Sequence, residues 1–123
     1  VDYLIPNERE AMQIAGVDNL EEAIKILLKK KVRNLIITMG ENGVLVINSD
    51  IREHIPAYKV EAIDTVAAGD AFVGAFSAGL ADGMDVMDAV RFGNAAAAIS
   101  VTRHGAQPSL PKRAEVLEFL DVS

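Results

Sequence analysis

Two apolar runs, Leu35-Ile36-Ile37-Thr38 and Val44-Leu45-Val46-Ile47, constrain the fold more than any other feature of the chain. Neither alternates polar with apolar residues, so neither strand has a face that water could cover. Both sides must be packed, and that requires layers of other structure above and below. Between the runs lies Thr38-Met39-Gly40-Glu41-Asn42-Gly43. Glycines at 40 and 43 most simply make a hairpin-like turn. The same spacing also suits a loop whose backbone approaches a flat ligand such as a nucleotide, because no side chain intervenes at the glycines.

The remaining elements follow in chain order. Val1 to Ile5 is a short strand stopped by Pro6. Asn7-Glu8-Arg9-Glu10 opens a helix to about Ala15, with Gly16 closing it, and Asn7 with Glu10 forms a variant capping box. A second helix starts near Asp18 or Asn19. Leu20, Ala23, Ile24, Leu27 and Leu28 fall on one face of it, and Lys29, Lys30 and Lys31 close it. Asn48-Ser49-Asp50 is a turn, and Ile51 to Ile55 is an edge strand ended by Pro56. Three helices follow: Ala71–Ala81, Val86–Thr102 capped by Asp85, and a last one introduced by Ser109-Leu110-Pro111 with Val116, Leu117 and Leu120 inward. Asn94 interrupts the small apolar face of the second of these and needs a partner if buried. This order predicts a layered α/β domain with a mostly parallel sheet. Its ligand crevice lies at the C-terminal ends of the strands.

One stretch there invites a chemical reading: Asp64-Thr65-Val66-Ala67-Ala68-Gly69-Asp70-Ala71-Phe72. Ala67, Ala68 and Gly69 leave backbone N–H groups uncovered just before an apolar helix. The first amides of a helix lack intrahelical partners, and the dipole adds positive potential, so such a turn attracts anions. Asp70 is a carboxylate where an anion should sit. It is either a helix cap or a base beside a bound phosphate that takes the proton from an attacking hydroxyl.

At 123 residues the chain is long enough for one ordinary domain with a real core, and at 50% hydrophobic it is not disordered. A net charge of −6 argues against a nucleic-acid or anionic-membrane surface. The absence of cysteine excludes disulfides and thiolate chemistry. No run reaches membrane-spanning length and nothing resembles a signal peptide, which makes the cytoplasm the expected compartment. The apolar opening, Val1-Asp2-Tyr3-Leu4-Ile5, reads as if cut from something longer.

Taken together these residues resemble the ribokinase-like carbohydrate kinases. Asp64 to Phe72 is similar to that family's C-terminal signature. Asn7-x-x-Glu10 matches its Asn-x-x-Glu motif, Thr38-x-Gly40-x-x-Gly43 its nucleotide loop, and Asn94 to Pro111 its tail. The matches run in order along the whole chain.

The resemblance implies ATP-dependent phosphoryl transfer to a sugar hydroxyl. It makes Asp70 the general base on the sugar's primary hydroxyl, with Asp64 also facing the sugar. The amides of Ala67, Ala68, Gly69 and Asp70 become the anion hole. It places Asn7 and Glu10 near the phosphates and a hydrated magnesium ion, and Thr38, Gly40, Glu41, Asn42, Gly43, Gly69 and Asn94 on the nucleotide. It implies a potassium ion held by the Asp64 and Ser109 side chains and by carbonyls near Val66, Ser100, Arg103 and Gly105. Family chains are roughly twice as long, so residues 1–123 correspond to the C-terminal nucleotide-binding and catalytic part, without the N-terminal sugar-contacting segments. A sheet edge and apolar helix faces left bare in that way favour a homo-oligomer.

Overall fold

The computed structural model describes residues 2–58, 68–102 and 113–122. Its described elements are β1 (Tyr3–Leu4), α1 (Glu8–Ala15), α2 (Leu20–Lys29), β2 (Asn34–Thr38), a 3-10 turn (Gly40–Asn42), β3 (Val44–Ile47), β4 (Arg52–Ile55), α3 (Ala68–Ala81), α4 (Val86–Val101) and α5 (Arg113–Val122). They divide into two compact units, Val1–Pro56 and Ala57–Ser123.

In the first unit the sheet order is β1-β2-β3-β4. Leu35 pairs with Ile47 and Ile37 with Leu45, which aligns four apolar side chains on one face. Ala11 from α1 and Ile24 and Leu27 from α2 pack against that face to form the core. Ile36 and Val46 point to the other face by the two-residue period of a strand, and both are fully buried. The demand for cover on both faces is therefore met.

Only β1 and β2 run parallel; β2–β3 and β3–β4 are antiparallel. The expectation of a mostly parallel sheet thus fails for the described strands. Five residues separate β2 from β3, and four separate β3 from β4, so the chain can only double back. A parallel return needs a crossover of a dozen or more residues, and only the α1–α2 connection supplies one.

Local chemistry sets the helix ends. Asn19 Oδ1 accepts the Glu22 N–H at 3.1 Å, and Asp85 Oδ1 accepts the Asp88 N–H at 2.8 Å. Gly16 adopts φ 71°, a left-handed conformation. Its N–H donates to the Gln13 carbonyl and that of Val17 to the Met12 carbonyl, which closes α1. Arg52 on β4 pairs with Glu21 on α2 through both terminal guanidinium nitrogens, tying the edge strand to the helix layer.

The second unit is helical. Ala71, Phe92, Ala95, Ala96 and Val116 form its core, with Phe119 and Leu120 packed against it. Leu117 is 41% exposed, so the inward assignment from sequence is wrong for that residue. With Val116 facing α4, the neighbours one turn on are 119 and 120, and Leu117 is rotated about 100° away. Among the described residues no helix is long and apolar enough to cross a membrane.

Candidate functional site

In the first unit, Asn7 stands at the end of β1 and Thr38 at the end of β2. The Thr38 N–H donates to the Pro6 carbonyl at 3.0 Å, and Asn7 and Thr38 form a parallel bridge. Two of the segments singled out in the sequence, Asn7–Glu10 and Thr38–Gly43, therefore leave neighbouring parallel strands at the same rim.

Asn7 and Glu10 carry out the capping role in full. Asn7 Oδ1 accepts the Glu10 N–H at 2.8 Å, and Glu10 Oε1 accepts the Asn7 N–H at 2.9 Å. Both side chains are fixed by the start of α1 and both residues are exposed. Capping uses Oε1 and leaves Glu10 Oε2 on the solvent side, a hard oxygen donor of the kind that binds a largely hydrated magnesium ion.

The hairpin-like turn is present as a single 3-10 turn. Met39 N–H donates to Gly43 O at 2.8 Å, Asn42 N–H to Met39 O at 3.0 Å, and Gly43 N–H to Gly40 O at 3.1 Å. Gly43 sits at φ 90°, ψ −142°, a region closed to residues with a Cβ. Gly40, Glu41 and Asn42 are exposed. One neighbour of this turn went unrecognised in the sequence: His54 Nε2 lies 2.5 Å from the Asn42 carbonyl oxygen. A histidine on a charged edge strand carries no local signal. Only the register that sets His54 opposite Leu45 brings it there.

In the second unit α3 begins at Ala68, three residues earlier than the sequence pattern suggested. Ala68, Gly69 and Asp70 are its first turn, so Asp70 is inside the helix and is not its N-cap. The earlier start has a physical reason: alanine and an acidic residue are both favourable in a first turn. The N–H groups of this turn have no intrahelical acceptors. Asp70 and Gly69 are exposed. Asp70 lines a groove of about 220 Å³ with Gly74, Ala78, Ala96 and Arg113. Arg113, at the start of α5, pairs with Asp82 just beyond the end of α3. Asp70 thus lies on an exposed first turn at the edge of that groove and not in the packed interior.

Asn94 is buried on α4 and is not left without a partner. Ser100 is fully buried in the last turn of α4, and among the described residues its hydroxyl has no hydrogen-bond partner. Its carbonyl lies at the negative end of the helix dipole and accepts from the Thr102 N–H. A buried oxygen without a partner, next to helix-end carbonyls, is compatible with a cation or an ordered water. The other expected site residues, Asp64, Val66, Ala67, Arg103, Gly105 and Ser109, lie outside the described residues. Among the described residues no three histidine or carboxylate side chains gather as a metal cluster.

Residues 1–113 match the model of the pfkB family of carbohydrate kinases. Ribokinase from Haemophilus influenzae is 43% identical over 98% of this chain and 41% of its own length. Deoxyribokinase from Salmonella typhi is 37% identical over 99% of this chain and 42% of its own. The structure of Arabidopsis thaliana ribokinase complexed with ribose and ATP superposes with a TM-score of 0.89 and 28% identity, over 100% of this chain and 42% of that one. The chain therefore spans about two fifths of the relatives it matches. A match to the family model over residues 1–113, in a fold shared with a solved member, makes this chain a member of the pfkB family of carbohydrate kinases.

Proposed function

We propose that this chain supplies the nucleotide site, anion hole and catalytic base of an ATP-dependent sugar kinase, with D-ribose as the acceptor. The observation that carries the reading is Asp70: an exposed carboxylate in the first turn of α3, facing a groove next to helix amides without intrahelical acceptors. In this reading Asp70 accepts the proton of the sugar's primary hydroxyl. The resulting oxygen attacks the γ-phosphorus, and the bond to the β-phosphate oxygen breaks to release ADP. The amides of Ala67 to Asp70 stabilise the charge that develops on the transferred group.

In this proposal Asn7 and Glu10 act near the phosphates, and the 38–43 turn and Asn94 hold the nucleotide. Glu10 orients the hydration shell of a magnesium ion, which neutralises phosphate charge when bound. The buried, unpartnered Ser100 hydroxyl supports a potassium ion near the end of α4, for which Asp64, Val66, Arg103, Gly105 and Ser109 are the other proposed ligands. The cytoplasm, where ATP is made, is the matching compartment. Homo-oligomerisation belongs to the same proposal: among the described strands β1 lies at the sheet edge, and Val73 and Leu117 are each 41% exposed.

Titration with Mg-ATP followed by ribose-dependent ADP release tests the reading. Binding is expected. Turnover by these 123 residues alone is expected to be weak or nil, since they span two fifths of the matched relatives. In the protein that turns over, Asp70→Asn should abolish the reaction and spare Mg-ATP binding; a fully active variant removes Asp70 from the role of base. A second reading, a nucleotide-binding fragment without turnover, rests on that same partial span. Relatives named deoxyribokinase and fructokinase keep the alternative, another carbohydrate or nucleoside kinase of the family, a matter for assay across pentoses, hexoses and nucleosides.

A further inference from the structure

We infer that His54 is a positioning residue for the nucleotide turn, acting through the Asn42 carbonyl; this rests on the turn's nucleotide role proposed above. His54 Nε2 stands 2.5 Å from Asn42 O. A carbonyl oxygen can only accept, so Nε2 carries the proton and donates it. The ring is therefore the Nε2–H tautomer when neutral, and the charged ring donates in the same way.

Three features give this bond its consequence. The other hydrogen bonds of the turn, among the described residues, join Met39, Gly40, Asn42 and Gly43 to one another. They close the turn on the end of the β2–β3 ladder, and none of them reaches β4. Glycines at both ends make it intrinsically loose. The donor, in contrast, hangs from an anchored strand. β4 is paired with β3 through Leu45↔His54 and Val44↔Ile55, and Arg52 on β4 is held by Glu21 of α2. The imidazole thus ties the outer residue of a glycine-flanked turn to a strand beyond the β2–β3 hairpin. A ligand laid on the turn then has less backbone freedom to freeze when it binds.

The experiment compares the 123-residue chain with His54→Phe, His54→Ala and His54→Gln, using Mg-ATP titration and thermal melts. Phenylalanine keeps the ring without a donor, whereas the glutamine amide places a donor close to the position of Nε2. A net hydrogen bond corresponds to roughly a three- to tenfold change in an equilibrium constant. Phe and Ala should raise the Kd for Mg-ATP by that factor with the melting temperature nearly unchanged, and Gln should recover most of the loss. An unchanged Kd in Phe and Ala overturns the positioning role while leaving the turn as a nucleotide site. A wild-type chain that shows no Mg-ATP binding overturns the nucleotide reading itself, and the inference with it. The ring's nitrogen-15 spectrum needs no variant: a neutral His54 protonated at Nδ1 and bare at Nε2 contradicts the bond directly.

Discussion

Gly93 of α4 offers the sharpest test of how the second unit positions Asp70. A Cβ placed on Gly93 would stand 2.9 Å from Phe72 Cδ2, 3.0 Å from Cε2 and 3.0 Å from the Phe72 carbonyl oxygen. None of these atoms is the free end of a flexible side chain. Phe72 is 2% exposed and its ring stacks on Phe76, with centroids 6.0 Å apart and planes 7° from parallel. Gly93→Ala therefore has to move either a packed ring or the backbone of α3 two residues beyond Asp70. Overpacking of this kind costs about 1–3 kcal/mol. With a backbone atom among the clashes, the upper half of that range applies. Alanine recovers about 1 kcal/mol of helix propensity, which leaves a net loss of about 1–2 kcal/mol. For a chain of this size each kcal/mol is worth roughly 3–6 °C, so the melting temperature should fall by roughly 3–12 °C.

Gly74 of α3 is the matched control, since a Cβ there meets nothing within 4 Å. Gly74→Ala should gain about 0.5–1 kcal/mol from propensity alone. One substitution on two packed helices should thus give opposite signs in a thermal melt followed by circular dichroism. A Gly93→Ala chain at least as stable as wild type would refute the close-packing account of the α3–α4 contact.

Three further outcomes are expected. Asn7→Ala removes the acceptor of the Glu10 N–H and should lower stability by about 1 kcal/mol in denaturant titration; no loss would mean the capping box is dispensable. Gly43→Ala forces a Cβ into φ 90°, ψ −142° and should cost about 1–3 kcal/mol, with faster amide exchange in the 38–43 turn as the site-specific readout. The hydrogen bond from Arg52 is the main cause that holds the Glu21 carboxyl below its ordinary value of 4.5. A lowered folded-state pKa adds stability that is present above the ordinary value and is lost as pH falls through the lowered one. Arg52→Met should therefore melt slightly below wild type at neutral pH, and the gap should close in acid. The pair is solvent-exposed, so the gap should be small and should also shrink in high salt.

Much of this protein was legible from local chemistry, because caps and periodicity act over a few residues. Asn7 with Glu10, Asn19, Asp85 and Gly16 delimit helices through bonds between groups at most five positions apart, so sequence alone determined those ends. The unbroken apolar runs at 35–38 and 44–47 likewise determined that both strand faces are covered. The ordered match of the Asn7, Thr38–Gly43 and Asp64–Phe72 segments identified the family. Strand direction and the inward turn of Phe119 in place of Leu117 depended on connection lengths and on neighbours supplied by other segments. The approach of His54 to Asn42, twelve positions apart, arose only from strand register. The burial of Ser100 with its hydroxyl unpartnered arose from helix packing. Such features are properties of surfaces brought together, and no window along the chain contains both sides of a contact.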